Sequence, residues 1–128
     1  GHENIFNAPS GLPGLRTALP LLINAVNCGQ IDLTRVVEAL CSVPAKRFGF
    51  PKKGKIEVGA DADLVLVDPN LEIKPMERPI YSKAKKTPYD HLSLKGWPVR
   101  TLLGGTTIAV KGQIQNHPIG QFIRPLKH

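Results

Sequence analysis

Apolar residues recur with helical spacing in the first part of the chain. Between residues 15 and 26 they are separated by three or four positions, which places them on one face of a helix. These residues are Leu15, Ala18, Leu19, Leu22, Ile23 and Val26. Pro20 fits only the first turn of a helix, because it has no N–H to donate. We therefore predict a regular helix from Leu19 to Asn27, ended by Gly29.

Two shorter helices are predicted next. Asp32 is a suitable N-cap for the second helix, because its short acidic side chain can accept a hydrogen bond from a free backbone N–H. The residues that follow form another one-sided apolar stripe. They are Leu33, Val36, Val37 and Leu40. Pro44 suits the first turn of a third helix, which is predicted to reach Phe48 and to end at Gly49.

The pattern becomes strand-like after Pro51. Residues 54–59 alternate like the end of a strand, and residues 63–68 form a continuous apolar run of strand length. Residues 71–73 extend this predicted strand. Residues 75–93 contain several prolines and a lysine cluster, so we expect them to be irregular.

A second β-rich region lies near the end of the chain. Residues 99–103 and 106–110 favour strands, and Gly104-Gly105 between them favours a two-residue hairpin turn, because both glycines tolerate positive φ. We predict that residues 54–68 and 99–114 pair in one small sheet. The tail from Asn116 is expected to be loop.

The order of these elements differs from that of a complete parallel α/β fold. Helices come first and strands follow, instead of alternating. The helical half has no sheet of its own to cover. Its two apolar stripes are therefore expected to face surface that lies beyond this chain. The first stripe consists of Leu15, Leu19, Leu22 and Val26, and the second of Leu33, Val36, Val37 and Leu40.

Length and charge leave several classes of partner open. The 128 residues fit one domain, and the net charge of +7 permits nucleic acid, an anionic membrane or an acidic small molecule. The lysines cluster at residues 52–55 and 83–86, and Tyr81 and Tyr89 flank the second cluster. Interleaved aromatic residues are typical of RNA binding. Solvated loops explain the same clusters more simply, so the sequence does not favour nucleic acid.

The cysteines and the hydropathy indicate a soluble, cytoplasmic protein. Cys28 and Cys41 do not form a Cys-x-x-Cys pair, and both lie in apolar helical surroundings. We expect them to be buried, reduced thiols. No segment has the pattern of a signal peptide or the length of a membrane span, so no membrane partner is expected.

Several segments resemble the amidohydrolases, and particularly the dihydroorotases. Residues 54–68 (GKIEVGADADLVLVD) are similar to the segment that returns from the barrel to the small β-domain, and residues 42–50 (SVPAKRFGF) to the short helix before it. Residues 8–15 (APSGLPGL) resemble the loop after the last metal ligand of dihydroorotases. Residues 82–105 contain segments similar to the C-terminal part of dihydroorotases and allantoinases. One departure is Arg16, where the family usually has glutamate.

This resemblance implies an α/β fold, a (β/α)8 barrel with a β-domain built from both chain ends. Such a barrel needs about 250 residues, about twice the present length. Residues 1–50 would then be the terminal part of the barrel, with a substrate loop and helices. Residues 51–128 would contribute to the β-domain, with an irregular segment at 75–93 and a tail at 116–128.

The family's reaction is hydrolysis or closure of a cyclic amide at one or two metal ions, usually zinc. Its ligands are a His-x-His pair, a carboxylated lysine, two further histidines and an aspartate that is also the general base. No histidines of this chain have ligand spacing, so we assign it no catalytic and no metal-binding residue. The four histidines are His2, His91, His117 and His128.

Two pairs of residues are candidates for other roles. By family likeness, the backbone at Ser10 and Gly11 approaches the ring and carboxylate of the substrate, and a glycine permits such close approach. Ser10 is a poor candidate for a nucleophile, because no histidine or lysine is near it in the sequence. Asp61 and Asp63 could form a catalytic carboxylate pair, but short acids before a buried strand more often bond backbone N–H groups.

The function that follows by resemblance is part of a dihydroorotase, which interconverts dihydroorotate and carbamoyl aspartate in pyrimidine synthesis. Allantoinase or hydantoinase activity is an alternative, as is a non-catalytic dihydroorotase-like assembly partner. A basic nucleic-acid-binding module is the weakest of the four. The expected partners are a cyclic amide substrate, the remainder of the barrel or another subunit, and further copies in a homo-oligomer.

Overall fold

The chain folds into helices followed by a small antiparallel sheet. The computed structural model describes residues 13–83, 85–115 and 117–126. In chain order the elements are α1 (Leu15–Asn27), α2 (Leu33–Val37), α3 (Val43–Arg47), β1 (Leu64–Ile73), β2 (Leu94–Leu103), β3 (Thr106–Val110) and β4 (Gln113–Ile114). The predicted order of helices and strands is therefore confirmed.

Helix α1 is longer than its sequence pattern predicts. It begins at Leu15, so Pro20 lies inside the helix, and the prediction that Pro20 would occupy the first turn is wrong. Thr17, Pro20 and Ile23 are its buried residues, and their spacing of three places them on one face. Burial of the proline ring on this face offsets the backbone hydrogen bond that the residue cannot donate. Gly29 follows the helix with φ +70°, as predicted for its end.

Helices α2 and α3 are joined without a break. The residues between them, Glu38–Ser42, form a π-helical turn, and Pro44 lies in the first turn of α3, as predicted for the third helix. A proline ring clashes with the carbonyl four residues before it, and a π turn widens the helix at that point. The predicted end at Gly49 is confirmed, since its φ is +72°. Asp32 lies at the N-cap of α2 but makes no side-chain capping bond.

The four described strands pair in the order β1-β2-β3-β4, and each neighbouring pair is antiparallel. Leu64 lies opposite Leu102, which confirms the predicted pairing of the two β-rich regions. Gly104 and Gly105, with φ of +55° and +81°, form the predicted hairpin turn. The prediction of a strand end at residues 54–59 is wrong. Ile56 and Val58 are 90% and 105% exposed in a segment of turns.

Helix α1 packs directly on β2, so the expectation that the helical half covers no sheet of its own is wrong. Gly96 makes this contact possible, because a Cβ at this position would lie 2.0 Å from Cγ2 of Ile23. Its φ of +110° is also a conformation that favours glycine. Ile23, Leu94 and Trp97 are all less than 9% exposed and form the centre of the core.

Four of the eight residues in the two apolar stripes are exposed to solvent. Leu15 is 99% exposed, and the rest of the first stripe is half-buried. In the second stripe only Val36 is buried, while Leu33 is 53% exposed. Cys28 and Cys41 are free and exposed, so the prediction that they are buried is wrong. Cys28 is the C-cap residue of α1, and Cys41 lies in the π-helical turn between α2 and α3.

None of the helices in the described part of the chain combines the length and the hydrophobicity needed to cross a bilayer.

Candidate functional site

The predicted substrate-binding residues, Ser10 and Gly11, lie outside the described residues. The described chain starts at Pro13 and enters α1 after Gly14, whose carbonyl accepts the backbone N–H groups of Thr17 and Ala18. These two hydrogen bonds hold the first turn of α1.

An ion pair ties the first turn of α1 to the irregular segment before β2. Nη2 of Arg16 lies 2.9 Å from Oδ1 of Asp90, and the two side chains are 24% and 12% exposed. The other carboxylate oxygen of Asp90 accepts the backbone N–H of Thr87 at 2.9 Å. Arg16 and Asp90 are 74 positions apart in the sequence.

A cavity of about 330 Å³ lies beside this ion pair, between the start of α1 and the sheet. The guanidinium carbon of Arg78 lies 5.8 Å from the centre of the Trp97 ring, within the range of a cation–π contact. Burial lowers the pKa of Arg78, because removal of water disfavours the charged form. Nη1 of Arg16 is buried without a hydrogen-bond partner in the described structure.

Two asparagines fix α1 against the sheet. Oδ1 of Asn24 accepts the backbone N–H of Lys95 at 2.9 Å. Nδ2 of Asn27 donates to the carbonyl of Lys95 at 2.8 Å and to that of Pro69 at 2.9 Å. Each asparagine thereby satisfies backbone groups that face the helix. The three bonds set the position of α1 along β2 more narrowly than apolar contact alone would.

The acids before β1 form a structural cluster. Nζ of Lys53 lies 3.0 Å from Oδ2 of Asp61 and also binds Asp63, and Oδ1 of Asp63 accepts the N–H of Gly104 at 2.8 Å. The hydrogen bonds to Asp63 and Asp61 raise the pKa of Lys53. The hydrogen bond from Lys53, with that from Gly104, lowers the pKa of Asp63. The predicted bonding of an acid here to a backbone N–H is thus confirmed.

No metal centre is evident in the part of the chain that the structure describes. His91 and His117 are exposed. Residues 13–83, 85–115 and 117–126 bring together no group of three or more histidine, cysteine, aspartate or glutamate side chains that could hold an ion. His2 and His128 lie outside the described residues.

Four residues that hold this arrangement were not singled out from the sequence. Asp90, Arg78 and the two asparagines act through contacts that are remote along the chain, so spacing alone does not reveal them. The sequence did contain a signal for the two asparagines. Asn24 and Asn27 are polar residues one turn apart within an otherwise apolar helix, which is typical of side chains that bond a neighbouring backbone.

The sequence of this chain matches that of a known protein family. A sequence model described as the amidohydrolase family matches residues 6–108, which is more than half of the chain. The chain belongs to the amidohydrolase family. The predicted resemblance to cyclic amidohydrolases is therefore confirmed, and the chain corresponds to a C-terminal portion of larger members.

Three amidohydrolases of known name are similar to nearly the same degree. Identity is 39% with an L-hydantoinase of Paenarthrobacter aurescens and 39% with an allantoinase of Rubrobacter xylanophilus, over 96% of this chain in both cases. It is 42% with a dihydroorotase of Halobacterium salinarum, over 82% of this chain. The matches cover 28%, 27% and 25% of these relatives, so the chain spans little more than a quarter of their length.

The fold agrees with that of solved amidohydrolases. The L-hydantoinase (dihydropyrimidinase) from Arthrobacter aurescens superposes with a TM-score of 0.76 at 37% identity, over 88% of this chain and 26% of that chain. The predicted fold class, barrel helices followed by a small sheet within an α/β amidohydrolase, is confirmed by this likeness.

Proposed function

We propose that the chain is part of an enzyme that hydrolyses a cyclic amide, with dihydroorotate as the substrate. Family membership supports the reaction class, and the 42% identity with a dihydroorotase supports the substrate. Hydantoin is a second candidate, because the similarity to an L-hydantoinase extends over 96% of the chain. Residues 1–50 would complete the barrel, and residues 51–128 would form part of the β-domain.

The role of this chain in such an enzyme is to position the substrate loop. The Arg16–Asp90 ion pair holds the first turn of α1 to the segment before β2, and the bonds of Asn24 and Asn27 hold its last turns on the sheet. A loop that continues from a helix held in this way has one fixed end. The backbone at Ser10 and Gly11 would then meet the substrate ring without a large ordering cost.

Zinc is implied by the family, but the described residues do not fit a zinc site. They contain no cluster of the required ligands, as the separate positions of His91 and His117 illustrate. The ion would have to be held by residues outside this part of the protein. The chemistry it supplies when bound is activation of a water molecule for attack on the amide carbon.

A chimeric enzyme tests this proposal. The matching quarter of the Paenarthrobacter aurescens L-hydantoinase is replaced by this chain. The purified chimera is then assayed with zinc for hydrolysis of dihydroorotate, hydantoin and allantoin. We expect ring opening, with dihydroorotate turned over at a higher kcat/KM than in the parent enzyme. A folded chimera with no activity on any of the three substrates would favour the non-catalytic assembly partner.

Substitution of Gly11 tests the substrate loop within an active chimera. A valine side chain at this position would fill space that the substrate needs, so Gly11→Val should lower kcat/KM by roughly a hundredfold or more. Gly120→Val is the matched control, because a Cβ at Gly120 meets no atom within 4 Å. Equal activity of the two variants would exclude close approach of Gly11 to the substrate.

A further inference from the structure

The cavity between α1 and the sheet is lined mainly by apolar surface. Trp97, Pro98 and Pro79 form walls, and Tyr81 lies at the edge. Its volume of about 330 Å³ is within the range of small-molecule sites. Such walls favour a flat apolar group over a hydrated ion, because contact with them releases water from both surfaces.

Two positive side chains line the same cavity. Arg16 already binds Asp90, but its Nη1 is buried without a partner among the described residues. Arg78 has no carboxylate within salt-bridge distance in the described chain. A buried guanidinium nitrogen without an acceptor, such as Nη1 of Arg16, is costly, and an anion would supply the acceptor.

Arg78 is held in place on two sides. Its guanidinium lies over the Trp97 ring, and its Cδ would be 3.2 Å from a Cβ at position 112. Gly112 therefore leaves room for the arginine, and its φ of +80° favours glycine as well. A side chain restrained in this way loses little further freedom when it binds a ligand.

We propose that this cavity binds an organic carboxylate with a flat apolar body, the carboxylate at Arg16 and Arg78 and the body against Trp97. Guanidinium groups bind carboxylates through paired N–H donors, which explains the need for unpartnered nitrogens. Benzoate has these features and is small enough for the cavity. Such binding does not depend on the hydrolase activity proposed above, because it uses only residues of the described chain.

Fluorescence of Trp97 provides a direct test, because this is the only tryptophan in the chain. Benzoate is titrated into the 128-residue chain, and the emission of Trp97 is recorded. Benzyl alcohol keeps the ring but has no charge, and acetate keeps the charge but has no ring. We expect a saturable change with benzoate and about tenfold weaker binding of the other two compounds.

Variants of Arg78 separate this site from non-specific charge effects. Arg78→Met should weaken benzoate binding at least about tenfold, whereas Arg78→Lys, which keeps the charge, should restore part of it. Arg35→Met is the matched control, because Arg35 is exposed and its ion pair within the described residues is with Glu38, three positions later. No saturable response in the unmodified chain, or equal weakening by Arg35→Met, would overturn the proposal.

Discussion

Asp63 joins three parts of the chain through a single carboxylate. It binds Lys53 from the preceding loop, it lies directly before β1, and it accepts the N–H of Gly104 from the hairpin turn. Its position before an apolar strand made this role predictable, since a short acid there commonly bonds backbone N–H groups.

The Arg16–Asp90 pair was not predictable in the same way. Its members are 74 residues apart, and neither belongs to a local motif that implies the other.

The pH dependence of stability should reflect the Lys53–Asp63 pair. Because the folded-state pKa of Asp63 is lowered from 3.8, its contribution is present above that pH and is lost as the pH falls through the folded pKa. The folded-state pKa of Lys53 is raised from 10.5, so its contribution is lost as the pH rises through the raised value. We expect the pair to contribute almost constantly between about pH 5 and 9.

Urea unfolding of Asp63→Asn measures this contribution. The variant should lose about 0.5–1 kcal/mol of unfolding free energy at pH 7, and the difference should shrink towards pH 2. Asparagine keeps an oxygen that can accept the Gly104 N–H, so the loss is mainly electrostatic. Asp32→Asn is the control, because Asp32 makes no side-chain capping bond. A difference between the two variants that is independent of pH would contradict this account.

The elements that depend on local signals were the easiest to predict. The hairpin at Gly104-Gly105 and the helix ends at Gly29 and Gly49 all require positive φ, and glycine supplies it. The elements that were predicted wrongly depend on distant packing. Pro20 lies inside α1 and is buried, and no short segment of sequence contains the information about which residues will be buried by packing.

At the level of elements, the contact between α1 and β2 should be sensitive to Gly96. The change Gly96→Ala places a methyl group 2.0 Å from Cγ2 of Ile23, so the helix must shift or the strand must bend. We expect a loss of about 2–4 kcal/mol in unfolding free energy, from overpacking and from backbone strain together. Urea unfolding followed by circular dichroism provides the measurement.

A second glycine isolates the effect of strain. Gly29 also has positive φ, +70°, but a Cβ there would meet no atom within 4 Å. Gly29→Ala should therefore cost only about 1 kcal/mol. If Gly96→Ala were no more destabilising than Gly29→Ala, the close approach of Gly96 to Ile23 would not be important for stability.

At the scale of the whole molecule, many large apolar side chains are exposed in the described part of the chain. Leu15, Leu33 and Val37 are 99%, 53% and 48% exposed, and they belong to the two apolar stripes. Full burial of one such side chain contributes about 1.5–3 kcal/mol, so several together are comparable to the stability of a domain. The helical spacing of these residues was visible in the sequence. The surface that they face could not be predicted, because it is not formed by the described residues.

We expect the isolated chain to associate in solution. Light scattering should give a mass above the 13.9 kDa of one chain, because association removes the stripes from water. The double change Leu33→Lys and Leu40→Lys should shift the mass towards that of the monomer. Thr34→Lys, at an exposed position on the same helix, should leave it unchanged. A monomer with both stripes intact would show that they need no partner.

The bonds between α1 and the sheet also set an order of events during synthesis. Asn24 and Asn27 bind Lys95, which is 71 and 68 residues further along the chain. At a translation rate of about 5–20 residues per second, α1 leaves the ribosome roughly 3–14 seconds before its partner strand exists. During that interval the buried face of the helix, with Pro20 and Ile23, has no sheet to cover it. The nascent chain is therefore expected to need chaperone protection at this helix, and faster translation of residues 28–95 would shorten the exposure.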